Sequence, residues 1–154
     1  MTKILVIAAK LKIGGAEKVA ADIGFHTDPQ RYEVHYVVFG DEIGAYEPEL
    51  QAKGCKVFHL PQPSDGYHAY MKNLKVLINT YRYDVIHAHT MFNIGWAMLA
   101  GKLCGVPMRI SHAHSALTEK RSLKVRIYEA AMRFLILTCA NTFVACGMKA
   151  GARL

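Results

Sequence analysis

Two histidine pairs, His87-Ala88-His89 and His112-Ala113-His114, form the pattern with the most chemistry in it. In extended backbone, residues i and i+2 share a face, so each pair projects two imidazoles together. If the two segments are neighbouring strands, four imidazoles gather at one place. Three chemistries compete for such a cluster. Two HxH pairs resemble metal-ligand spacing, although no carboxylate or cysteine lies close in sequence to complete a site. Alternatively, one or two rings line a crevice and hydrogen-bond a sugar hydroxyl or a phosphate. The third reading is strand-end packing with satisfied ring nitrogens. His87, inside its strand, fits packing; His89 and His114, one step further out, fit a ligand.

A second pattern is Lys10-Leu11-Lys12-Ile13-Gly14-Gly15-Ala16-Glu17, a glycine pair between an apolar run and an amphipathic segment. Two glycines let the backbone approach a ligand closely and leave free N–H groups at a helix N-terminus, a natural anion site. A tight turn that needs glycine for its dihedrals accounts for the pair equally well. The GxGxxG and GxxxxGK[ST] fingerprints are absent, which argues against a dehydrogenase or an ATPase. A third pattern is the basic stretch Glu119-Lys120-Arg121-Ser122-Leu123-Lys124-Val125-Arg126, which opens a helix closed by Leu135-Ile136-Leu137. It reads either as a surface for an anionic leaflet, each basic residue adding about 1 kcal/mol, or as a core helix with solvated first turns.

The elements that must position these residues follow from periodicity. Short apolar runs predict strands over 4–9, 33–39, 55–60, 84–88, 108–111 and 142–146. Between them, helical spacing predicts helices over 15–26, 46–53, 68–82, 92–103 and 123–138, with the start of another from Gly147. Strands alternating with helices imply parallel pairing through right-handed crossovers. The expected fold is α/β, a Rossmann-like doubly wound parallel sheet of about six strands in three α/β/α layers. Its ligand crevice lies beyond the carboxyl ends of the strands, where the strand order reverses.

The totals bound the rest. With 154 residues, 52% hydrophobic and 20% charged, the chain is long enough to bury a core as one domain. Its net charge of +7 favours anionic partners. Nucleic acid is not expected among them, because Tyr128 is the only aromatic residue near the Lys120 to Arg126 cluster. The four cysteines form no CxxC pair and sit among apolar neighbours, so buried, reduced thiols are expected. The short apolar run at the N-terminus leads into an amphipathic segment instead of a cleavage region, which suggests a cytoplasmic protein. The last residues open an element without finishing it, so a piece of something longer is expected.

Taken in order, several segments resemble a known family. They are Lys3-Ile4-Leu5-Val6-Ile7 with Gly14-Gly15-Ala16-Glu17, then Asp84-Val85-Ile86-His87-Ala88-His89-Thr90, Arg109-Ile110-Ser111-His112-Ala113-His114-Ser115, and Phe143-Val144-Ala145-Cys146-Gly147. Together they are similar to the N-terminal domain of glycosyltransferase family 4, the retaining transferases of two-domain GT-B architecture. The flavour is that of the capsular or exopolysaccharide group. At Gly147 the family often carries serine. The resemblance implies that Gly14 and Gly15 belong to a loop closing over the donor diphosphate. It implies that His114 is the catalytic histidine reaching the transferred sugar, with His89, Glu17 and Thr90 on the acceptor side. Neither a metal nor a cofactor is implied; a nucleotide-diphosphate sugar is the donor substrate and a glycan or lipid-linked molecule the acceptor. The donor-binding C-terminal domain is not in this sequence, so half a cleft without turnover is expected, on the inner face of a membrane or free of it. Rival readings are half of a GT-B nucleotide-sugar epimerase, an anion- or nucleic-acid-binding module, and a histidine-metal hydrolase. The transferase reading requires Gly15 and His114 at the same end of the molecule.

Overall fold

A computed structural model describes residues 1–114 and 122–151. The elements are β1 (Thr2–Ile7), α1 (Gly15–His26), β2 (Tyr32–Phe39), α2 (Glu47–Ala52), β3 (Lys56–Leu60), α3 (Tyr67–Tyr81), β4 (Val85–Ala88), α4 (Ile94–Leu103), β5 (Met108–Ala113), α5 (Leu123–Cys139), β6 (Thr142–Ala145) and α6 (Met148–Gly151). Single 3-10 turns over Pro63–Asp65 and Met91–Asn93 precede α3 and α4. The strands form one all-parallel sheet in the order β3-β2-β1-β4-β5-β6. The order reverses between β1 and β4, as the expected doubly wound topology requires.

β1 runs through the middle of both layers, with Leu5, Val6 and Ile7 fully buried. Alternation sends Leu5 and Ile7 to one face, against Tyr70, Leu74 and Ile78 of α3 and Ala97 and Met98 of α4. Val6 and Ala8 point to the other, against Ala20 and Ala21 of α1 and Leu50 of α2. On that second face Tyr36 of β2 fixes α1 at close range. Its hydroxyl accepts the Gly24 N–H at 2.8 Å and donates to the Ala20 carbonyl at 3.0 Å. Gly24 is what allows the approach, because a Cβ there would lie 2.7 Å from both that hydroxyl and Leu50 Cδ2.

The boundaries differ from expectation where hydrogen bonds extend or end a ladder. β1 takes in Thr2 and Lys3: the Thr2 N–H donates to the Arg31 carbonyl and the Lys3 N–H to the Asp84 carboxylate. β5 runs on to Ala113, because β6 pairs His112 with Val144 and Ala113 with Ala145. α4 starts at Ile94 and not at Phe92. The 3-10 turn comes first, and Met91 opens it in the left-handed region at φ +51°. That conformation is strained for a long side chain and lies immediately beyond the β4 tip.

The four cysteines are free thiols; Cys55 and Cys139 are buried as expected, but Cys104 is half-buried and Cys146 exposed. The apolar end of α5 also departs from the core reading. Met132, Ile136 and Cys139 face inward, while Phe134 and Leu137 are 65% and 53% exposed. Glu119, Lys120 and Arg121 of the basic stretch, and Ser115 of the fourth motif, lie outside the described residues. Among the described residues no helix is long and apolar enough to cross a membrane.

Candidate functional site

The turn after β1 and the tips of β4, β5 and β6 meet at the carboxyl edge of the sheet. Gly14 caps α1 in extended backbone (φ −176°, ψ 161°), and neither it nor Gly15 has positive φ. The dihedrals therefore do not demand glycine. A Cβ on Gly15 would meet nothing within 4 Å, and on Gly14 it would meet only the Glu17 side chain. What the pair provides is bare backbone and open space at a helix N-terminus, the feature an anion uses. From behind, the loop is held by Gly44, where a Cβ would lie 2.6 Å from the Leu11 carbonyl group, and by the Tyr46 N–H donating to the Leu11 carbonyl at 3.0 Å. Buried Glu47 accepts the Gly44 N–H at 2.7 Å and sits 3.0 Å from His59 Nε2, which keeps that support rigid. Lys10 and Lys12 flank the loop and share the carboxylate of Glu42 at 2.8 and 2.5 Å.

Across the edge, all four histidines come together. Register pairs His87 with Ile110 and Ala88 with Ser111, so His89 falls beside His112. His87 Nε2 lies 3.1 Å from His112 Nδ1, and His89 Nδ1 lies 2.7 Å from His114 Nε2. The rings of His112 and His114 stack at 4.3 Å with their planes 16° apart. His87 makes the ring contact that the packing reading expects. His89 and Thr90 are buried, yet His89 Nε2 and Thr90 Oγ1 have no hydrogen-bond partner among the described residues. Unpartnered buried polar atoms cost stability, and at a strand tip they are available to a ligand.

Burial, reinforced by the neighbouring imidazoles His112 and His114, brings His87 down to about 4. Burial acts more strongly on His89, which falls to about 2. Burial and then His114 bring His112 to about 4. His114 is lowered by burial and pulled back upward by the charge of Glu17. That pull links the third residue of α1 to the tip of β5. Because β1, β4 and β5 run parallel, the turn after β1 and His114 just beyond β5 lie at the same end of the sheet, on either side of the point where strand order reverses.

Sequence reasoning missed Cys146. Its sulfur stands 3.3 Å from His112 Nε2 and 3.2 Å from His114 Nδ1. It is remote in sequence, but the strand-tip logic that selects His114 on β5 selects Cys146 on β6, its neighbour in the sheet.

The model of glycosyltransferase family 4 matches residues 13–154. The chain belongs to glycosyltransferase family 4. EpsF of Bacillus subtilis (strain 168), named as a candidate glycosyltransferase, is 27% identical over 152 residues, 97% of this chain and 40% of that protein. Among solved structures, Anabaena HepE in complex with UDP and glucose superposes with a TM-score of 0.74 at 21% identity, over 99% of this chain and 40% of HepE. MurG of Acinetobacter baumannii does so at 0.69 and 12% identity, over 97% of this chain and 42% of MurG. The chain thus spans about two fifths of the length of these proteins, and the structural likenesses show the shared doubly wound fold. Within the family 4 domain, the glycine turn and the imidazole cluster lie at the carboxyl edge of the sheet, on either side of the strand-order reversal.

Proposed function

We propose that this family 4 domain is the acceptor-side half of a retaining glycosyltransferase that moves a sugar from a nucleotide-diphosphate donor to a polysaccharide or lipid-linked acceptor. A second, C-terminal domain supplies the other donor contacts, and the domain alone does not turn over. The observation that carries the reading is the pair of features at the strand-order reversal: bare backbone at Gly14 and Gly15 after β1, and the imidazole of His114 just beyond β5. The diphosphate passes over the glycine turn, where N–H groups offset its charge as the glycosidic bond breaks. His114, lowered by burial from its ordinary value, hydrogen-bonds the transferred sugar. His89, Glu17 and Thr90 border the acceptor, whose hydroxyl is held in line for transfer. Transfer of this kind needs no cofactor. That HepE was crystallised with UDP and with UDP-glucose supports a nucleotide sugar as the donor class.

The test is made in the two-domain enzyme. His114→Ala is expected to lower kcat/KM for sugar transfer about 100-fold, the loss typical of a hydrogen bond made to the transition state. Gly15→Val should lower it comparably by blocking the diphosphate, with unfolding midpoints unchanged in both variants. A His114→Ala enzyme within twofold of the parent removes the proposal.

The same reading places the protein on the cytoplasmic face of a membrane, where a lipid-linked acceptor resides. Lys124 and Arg126 are exposed at the start of α5 beside Leu123, Val125 and Ile127, which are 70%, 42% and 63% exposed. A basic surface interleaved with apolar side chains suits an anionic leaflet. Flotation should recover the protein with vesicles containing anionic lipid and not with neutral ones. Equal recovery with both would exclude an electrostatic membrane contact.

A further inference from the structure

We propose that His112, His114 and Cys146 form a binding site for a thiophilic divalent cation, Zn2+ foremost, and that filling it takes His114 out of service in the cleft. The three ligand atoms lie within 4.8 Å of one another. Tetrahedral zinc with Zn–S of about 2.3 Å and Zn–N of about 2.0–2.1 Å sets sulfur and nitrogen about 3.5 Å apart. The sulfur of Cys146 lies 3.3 Å from His112 Nε2 and 3.2 Å from His114 Nδ1, so a few tenths of an ångström of side-chain movement admits the ion.

The ring nitrogens facing away from the sulfur complete the pattern. His112 Nδ1 meets His87 Nε2 at 3.1 Å, and His114 Nε2 meets His89 Nδ1 at 2.7 Å. When those far nitrogens carry the protons, the nitrogens facing Cys146 keep free lone pairs. A partner on the far nitrogen is what orients a metal-binding imidazole and raises its basicity. His87, His89 and His112 also lie within 4.8 Å of one another, but that trio is more buried and has no sulfur. Cys146 is exposed, which gives the ion a path inward and leaves a fourth position for water. A set of two imidazoles and one thiolate favours zinc and excludes magnesium, which selects oxygen ligands.

Binding itself rests only on this geometry. The loss of transfer rests on the role proposed above for His114, whose Nδ1 the ion would hold. The test is titration of the chelator-treated chain with Co2+, followed by competition with Zn2+. One equivalent of Co2+ should bring up a near-ultraviolet sulfur-to-cobalt band with visible ligand-field bands. Cys146→Ser should abolish the sulfur band and weaken Zn2+ at least 100-fold. His89→Gln should weaken Zn2+ about 10-fold by loosening His114, as partners of ligating histidines do. Cys104→Ser should change neither. Absence of the sulfur band, or its survival in Cys146→Ser, overturns the site. Zn2+ should also inhibit the two-domain enzyme, and less so in Cys146→Ser. A site that fills without inhibition refutes the stated link to His114 while leaving the site standing, whereas a missing band with transfer still dependent on His114 leaves the transferase reading intact.

Discussion

Taking the chelator-treated protein from pH 7 to pH 5 is expected to lower its unfolding free energy by about 4 kcal/mol. The cause is the imidazole cluster at the strand tips. His87 and His112 are held at about 4, and His89 at about 2, by burial first and by neighbouring imidazoles second. In the unfolded chain each titrates near its ordinary value of about 6.5. Between these limits the unfolded state binds protons that the folded state refuses, so stability falls as pH falls. Each histidine contributes a slope of up to about 1.4 kcal/mol per pH unit across that window. Three such groups over the interval sum to somewhat more than the stated loss, which allows for their mutual interaction. Against a typical total of about 5–15 kcal/mol, the change takes a large share of the stability. Urea midpoints at the two pH values measure it. His87→Gln should flatten the dependence by about a third, and a parent midpoint that does not move between pH 7 and pH 5 contradicts the neutral cluster.

The second large effect is mechanical. Gly95→Val is expected to destabilise the domain by about 3 kcal/mol, the upper part of the usual range for overpacking. A Cβ on Gly95 would lie 2.9 Å from the Met132 carbonyl oxygen, 3.1 Å from its Sδ and 3.2 Å from its Cα, so even with the thioether swung away the α5 backbone stays in the path. Nor is α5 free to retreat. The Tyr128 hydroxyl donates to Asn93 Oδ1 at 2.7 Å and receives the Trp96 indole N–H at 3.2 Å, and Lys102 Nζ donates to the Thr138 carbonyl at 2.8 Å. Both ends of the α4–α5 contact are pinned. Gly95→Ala should cost less, since the clash is partly offset by about 1 kcal/mol of helix propensity. A shift in the urea midpoint without a change in slope reports it. A Gly95→Val protein as stable as the parent means that the two helices are not in contact as described.

Much of this architecture was legible from the chain. Continuous apolar runs such as Ile4 to Ile7 announce strands covered on both faces, and their alternation with helical stripes leaves a doubly wound sheet as the natural arrangement. That His89 and His114 stand at strand tips was legible because the i, i+2 rule and the strand-end position act locally. Cys146 was not, since its role depends on which strand lies next to β5, a tertiary fact that no local pattern carries. The core-helix reading of α5 would bury Leu137, and it fails there for a related reason. Helical periodicity gives the angle between side chains but not which arc a neighbouring helix covers, and α5 turns Met132, Ile136 and Cys139 to the core instead. At the glycine pair the sequence left a dihedral requirement and a ligand approach equally open, and only the extended backbone at Gly14 separates them.

The reversal in strand order has a further meaning for the cleft. The glycine turn rides on the β1 half of the sheet and the imidazoles on the β4 half, and the two halves are joined edge to edge by four residue pairs, Ile4 to Ile7 against Val85 to Ala88. The distance between the glycine turn and the imidazoles is therefore set by the pitch of a single seam. A change of a few degrees in twist along it would draw the turn and the imidazoles together or apart with every side chain left in its rotamer.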